Sequence, residues 1–215
     1  MRKILCLLIM LVTLCTAAYG QDEEEGSQSP APALQFDQDQ LLIRLATLKP
    51  FKPDKGQSQP GYTFVVTQED FRNSLNFLAD ERVDQIMENF GVAVAFSFKD
   101  DTQFLILTQW QDHESAKQFI QIEQELWRFK DKAYQEYIKR VVYEEIDVAN
   151  DEKALLTRKT LAQAGQKQDV TTFVSARKNT FFECTLIGDY NDREVKKLIL
   201  QIWKHIESEE KKEAR

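Results

Sequence analysis

Residues 179–203 read "NTFFECTLIGDYNDREVKKLILQIW", and the order of elements in this stretch decides the fold. Lys178 and Asn179 stand between "VTTFVSAR" and "TFFECTLIG", two runs rich in β-branched and aromatic residues that read as a hairpin. Asn191 is placed to cap a helix. Val195, Leu198, Ile199, Ile202, Trp203 and Ile206 then recur at helical spacing and form one apolar face. Within the strand, Phe182, Cys184 and Leu186 share one side while Glu183 and Thr185 point to the other, because strand side chains alternate. That alternation predicts an antiparallel strand buried on one face.

The same order occurs upstream. In "VAVAFSFKDDTQFLILTQWQ", residues 92–111, two apolar runs flank Asp100 and Asp101. Asp112 follows as a cap, and Ala116, Phe119, Ile120, Leu126, Trp127, Ala133, Tyr134, Tyr137, Ile138 and Val141 predict a long helix running to about Arg140. An offset of 79 residues lays the first hairpin–helix unit on the second without a gap. Lys99 falls on Lys178, Asp112 on Asn191, and Leu105 on Cys184. Identities are sparse, so the match is an architectural echo.

Between and around these units the pattern is mixed. "YTFVVT" reads as a strand, and Thr67 with Asp70 resembles a capping box. Phe71, Leu75, Leu78, Ile86 and Phe90 predict a helix that breaks near Asp80 and ends at Gly91. "VVYEEIDV" alternates as a strand, and "NDEKALLTRKTLAQAG" predicts a helix over about 150–164 with a terminal glycine. "DQDQLLIRLATL" reads as a short helix or strand, followed by a loop punctuated with Pro and Gly. The expected fold class is α+β: an antiparallel sheet of about five or six strands with helices mainly on one face, a two-layer sandwich. In element order alone it resembles proteins of the PsbP-like type; that likeness carries no motif and transfers no residue or activity.

The N-terminus has the form of an export signal. "MRK" supplies positive charge, "ILCLLIMLVTLCTAA" an apolar run, and "AYG" small residues at −3 and −1 before Gln21. The expected organisation is a signal peptide over 1–20, an acidic and Pro/Ser-rich linker over 21–35, one domain over 36–208 and a charged tail over 209–215. The expected location is secreted or periplasmic, with no membrane span once the signal is removed. The formal charge is −7, and losing Arg2 and Lys3 with the signal leaves −9. Such an acidic balance argues against a nucleic-acid partner.

Chemistry is sparse. Cys6 and Cys15 lie in the signal, so Cys184 is the only thiol left and no internal disulfide is expected. A nucleophile needs a thiolate activated by a neighbouring base, and His113 and His205 are candidates by count only. No metal-ligand spacing, phosphate loop, nucleophile elbow or cofactor motif is present. No catalytic, metal or cofactor residue is therefore assigned. Trp127, Phe129, Tyr134 and Tyr137 at the far end of the long helix are the candidate surface for a partner protein or small ligand. The functional expectation is a non-enzymatic exported binding protein, an envelope accessory or assembly factor; the alternative is an exported hydrolase-like enzyme without a recognisable motif.

Overall fold

The computed structural model describes residues 36–57, 60–99, 101–149, 152–163 and 165–213. The expected signal peptide and linker, Asp100 of the first turn and the last two residues lie outside the described residues. The described residues hold seven strands: β1 (Tyr62–Val66), β2 (Phe90–Phe98), β3 (Gln103–Trp110), β4 (Ile138–Ala149), β5 (Glu152–Gln163), β6 (Gln166–Arg177) and β7 (Thr180–Ile187). Among the described residues five helices accompany them: α1 (Gln38–Leu45), α2 (Gln68–Ser74), α3 (Asp80–Asn89), α4 (His113–Ala133) and α5 (Asp192–Glu213). The strands form one sheet in the order β1-β2-β3-β7-β6-β5-β4, and every neighbouring pair is antiparallel.

The two hairpins of the sequence echo meet at the centre of this sheet. β3 pairs with β7, and Leu105 lies directly opposite Cys184. Leu105 and Cys184, which the offset of 79 superimposes, are thus partners across this ladder, while their neighbours pair in the reverse order, Phe104 with Thr185 and Ile106 with Glu183. The echo ends at the helices. α4 packs Ala116, Phe119, Ile122 and Trp127 on one face of the sheet, with Phe181 and Val174. α5 packs Val195, Leu198, Ile199, Ile202 and Trp203 on the other, with Phe182, Cys184 and Leu186. α1 joins α5, and α2 and α3 join α4.

Helices therefore cover both faces, and the expected two-layer arrangement with helices mainly on one face is corrected to three layers. The reason lies in the central strands. Every residue of β2 from Val92 to Phe98 is buried. Val94, Phe96 and Phe98 fill the α5 side, while the small Ala93 and Ala95 leave room on the α4 side. Aromatic contacts complete each layer: Phe182 meets Trp203 edge-on at 5.0 Å, and Phe119 meets Phe181 at 5.0 Å.

The strand count exceeds the expected five or six because residues 152–163 form β5, not a helix. Ala154 and Leu156 enter one core and Leu155 the other, so both faces are buried and the apolar–polar alternation of a strand is absent. The Ala- and Leu-rich composition favours a helix, and pairing with β4 and β6 overrides it. Gly165, at φ +81°, belongs to the β5–β6 turn. α4 stops at Ala133, short of Arg140, because Ile138 to Tyr143 is taken into β4. The charged C-terminal stretch continues α5 as helix through Glu213.

Several local readings are met. The break before Asp80 separates α2 from α3. Thr67, Asp112 and Asn191 cap α2, α4 and α5 through bonds to the amides of Asp70, Ser115 and Glu194. Gly91 does not end the helix but sits at a register shift in β2, where an added Cβ would lie 2.8 Å from the Gln109 carbonyl. Gly91→Ala is expected to force β2 and β3 apart at about 1–3 kcal/mol. Phe182→Ala, which empties the centre of the α5 side, should cost about 3–5 kcal/mol. Urea unfolding of the two variants checks both values and their order.

Candidate functional site

The four aromatic residues of the expected surface are dispersed. Trp127 is buried in the α4 core. Phe129 is 47% exposed and stacks on Phe77 at a centroid distance of 5.4 Å. Tyr134 is the C-terminal cap of α4, and Tyr137 lies in the turn to β4, both partly buried. α4 ends where they begin, so they do not extend along one projecting helix.

Cys184 is fully buried between Leu105 and Phe173 of the flanking strands. Burial pushes its thiol well above the usual range, and the charge of Glu183 adds to this. The ring of His113 is engaged elsewhere, 2.5 Å from the Lys178 carbonyl at the β6–β7 turn. In the folded protein Cys184 should resist a thiol reagent and react fully only in denaturant. Rapid modification of the native protein would contradict its burial.

Ionisable groups instead gather beneath α4. Glu123 stands in the apolar stripe of that helix, four residues after Phe119 and three before Leu126, and is 4% exposed. Its carboxyl meets Glu183 of β7. Burial, then the charge of Glu183, raises Glu123 to about 8, against the pull of Lys130 and Lys159. Glu123 Oε1 has no hydrogen-bond partner. It lines a crevice of about 50 Å³ walled by Phe71, Phe104, Ile106, Phe119 and Phe181, with Glu183, Thr185 and Lys130 also present.

Alongside lies a second, satisfied cluster. Asp131 accepts from Lys159 Nζ at 2.5 Å through one oxygen and from the Tyr143 hydroxyl at 2.5 Å through the other. Burial lowers the Lys159 ammonium, and the Asp131 charge opposes this. Burial and the Asp131 bond raise the Tyr143 hydroxyl. The Arg128 guanidinium lies 5.7 Å from the Tyr143 ring centre. Loss of Asp131 would strand a buried cation.

On the α5 side, where β5 and β6 meet the start of α5, a more open cleft of about 660 Å³ is lined by Arg140, Arg158, Thr160, Asp169, Asp189 and Arg193 among others. Arg158 is committed: its guanidinium donates to Glu144, to Asp192 at 2.6 Å and to the Tyr190 carbonyl at 2.8 Å. Asp169 accepts from Thr160 at 2.7 Å. Among the described residues, the side chains of Arg140 and Arg193 form no ion pair or hydrogen bond.

No known protein family, no curated protein and no solved structure matches the chain. The PsbP-like likeness in element order therefore gains no support. Among the described residues no helix is long and apolar enough to cross a membrane.

Sequence reasoning missed Glu123, Glu183, Arg140 and Arg193. For Glu123 the signal was a carboxylate inside an apolar stripe. Glu183 was read correctly as pointing away from Cys184, but the face it points to is covered by α4 and not open to water. No pattern marked the two arginines.

The raised Glu123 makes stability depend on pH in a defined sense. Its ordinary value is 4.5 and its folded value about 8, so the folded state holds a proton that the unfolded state has lost. This contribution is fully present below about pH 4.5 and is lost as pH rises towards 8, at no more than about 1.4 kcal/mol per pH unit. Glu123→Gln should flatten that slope in urea titrations, whereas Asp131→Ala should cost about 3–5 kcal/mol at every pH in the window.

Proposed function

We propose that the protein is an exported, non-enzymatic binding protein, secreted or periplasmic, serving as an envelope accessory or assembly factor. Its ligand, or the exposed part of its partner, carries an anionic group that enters the cleft at the start of α5. One observation carries this reading: Arg140 and Arg193 face a cleft of about 660 Å³ without an ion-pair partner among the described residues, while Arg158 is held by Glu144 and Asp192. That volume falls within the range of small-molecule sites, roughly 300–1,000 Å³. Guanidinium groups suit carboxylate and phosphate because their donors match two oxygens at once.

The alternative, an exported hydrolase-like enzyme, draws support from Glu123, a carboxyl that burial raises above its ordinary range in a crevice that Glu183 also lines. Their crevice of about 50 Å³ is too small to seat a substrate of ordinary size. Binding is therefore preferred over catalysis.

Calorimetric titration with inorganic phosphate and with citrate tests the anion site. Arg140→Ala and Arg193→Ala should each weaken binding about ten-fold or more, the worth of one charge-assisted hydrogen bond. An absence of saturable binding by either anion would sink the proposal. Export is tested separately: protein recovered outside the cytoplasm should begin at Gln21.

A further inference from the structure

We propose that β4, an outer strand of the sheet, is the interface for a second copy of this chain, and that the two copies pair their β4 strands antiparallel about an axis through Val142. The sheet then runs on from one copy into the other. The pairing does not rest on the anion reading of the cleft at the start of α5.

β4 is 12 residues long, and among the described residues it has a strand, β5, on one side only. Such an edge presents a row of backbone N–H and C=O groups that a further strand can satisfy. Lys139, Arg140 and Val141 are exposed in succession. Bulges can spoil an edge for pairing, but here the register shifts lie near the two ends. They leave Arg140 to Asp147 regular. β1, at the other edge, has 5 residues and no charged side chain, so it offers nothing to fix a register.

The order of charges on β4 selects a second copy as the occupant. The cations Lys139 and Arg140 come first, and the anions Glu144 and Glu145 follow. A strand of that order is complementary to its own reverse, as a two-fold interface requires. Opposite residues of an antiparallel pair share a face, so the axis passes through a residue position. With the axis at Val142, Arg140 of each copy stands opposite Glu144 of the other. Val141 stands opposite Tyr143, a β-branched and aromatic pair of the kind that stabilises sheets. Lys139 and Glu145, next in line, are again of opposite sign. Neighbouring axes lose this match. At Val141, Arg140 would face Val142; at Tyr143, Arg140 would face Ile146 and Glu144 would face Val142. Charges that guard an edge against its own copy meet like charges there, and these do not.

The side chains are accessible for this pairing. Among the described residues those of Lys139 and Arg140 form no ion pair or hydrogen bond. The Glu144 side chain is 40% exposed although it holds Arg158, and that of Glu145 is 47% exposed although it holds Lys153. A guanidinium has five N–H donors, so Arg140 can meet an anion in its own cleft and Glu144 of the second copy together.

Sedimentation equilibrium of the full chain tests the pairing. A dimer should be populated at about 100 µM chain, the regime of a small interface. Its dissociation constant should rise with salt, because exposed ion pairs are screened. Arg140→Glu sets carboxylate against carboxylate at both symmetric pairs and should raise that constant about ten-fold or more. The register is read by cysteine placement in a chain carrying Cys6→Ser and Cys15→Ser, with Cys184 buried. At the axis, residue 142 faces its own copy at a Cα separation of about 4.5–5.5 Å, within reach of a disulfide. Val142→Cys should therefore cross-link the copies when oxidised by glutathione disulfide. Lys139→Cys, about 20 Å from its counterpart, should not. The wild-type mass and its salt dependence decide the matter even if a variant fails to fold. A chain that stays monomeric at this concentration would overturn the proposal. So would a dimer that salt tightens, one that Arg140→Glu leaves intact, or one that cross-links through residue 139 and not through 142.

Discussion

The pairing of β3 with β7 is the contact on which the rest of the molecule depends. Each strand arrives as the second arm of its own hairpin, and the ladder between them turns two hairpins into the four central strands of the sheet. These strands are apolar on both sides, so a single layer of helices would leave one side wet. The chain resolves this by sending α4 and α5, each following a hairpin, to opposite faces. Burial of Cys184 on one side and of the Glu183 side of β7 on the other follows from the same placement.

The two layers are unequal in chemistry. The α5 side is filled by aliphatic and aromatic residues from α1 and α5, with Phe51 stacked on Phe98 at 4.6 Å. The α4 side contains Glu123, Glu183, Lys159 and Asp131, groups that cost free energy to remove from water. The Asp131 group recovers much of that cost, because Lys159 and Tyr143 occupy both carboxylate oxygens. The Glu123 group does not, since one of its oxygens is unmatched. Apolar residues of similar volume would make a more stable layer, so the α4 side is where this fold gives up stability for something else.

Much of the architecture was legible in the sequence because it rests on local rules. The two hairpins, the caps at Asp112 and Asn191, and the break before Asp80 are each written in neighbouring residues. β5 was not legible, because its alternation is erased when both faces are buried and its Leu and Ala residues favour a helix in isolation. Counting one buried face for the sheet was the same error at larger scale: Glu183 and Thr185 were read as a solvent side when α4 covers them. The site was hidden for a related reason. Glu123 and Glu183 are 60 positions apart, and only the placement of α4 over β7 brings them together.

The turn at Lys178 and Asn179 has a consequence for how the chain folds. Trp110, the last residue of β3, donates its backbone N–H to the Asn179 carbonyl at 2.7 Å, and its own carbonyl accepts from the Asn179 side-chain amide at 3.2 Å. His113, in the first turn of α4, contacts the Lys178 carbonyl. The first hairpin–helix unit is therefore anchored at its midpoint by residues 65 or more positions further along. Contacts of such sequence separation are formed late and slow the search for the native state. During synthesis the first hairpin–helix unit must wait, with β3 an open edge, until β7 (Thr180–Ile187) has emerged. A helper that shields that edge, or a rate of synthesis that shortens the wait, would act on yield and not on final stability.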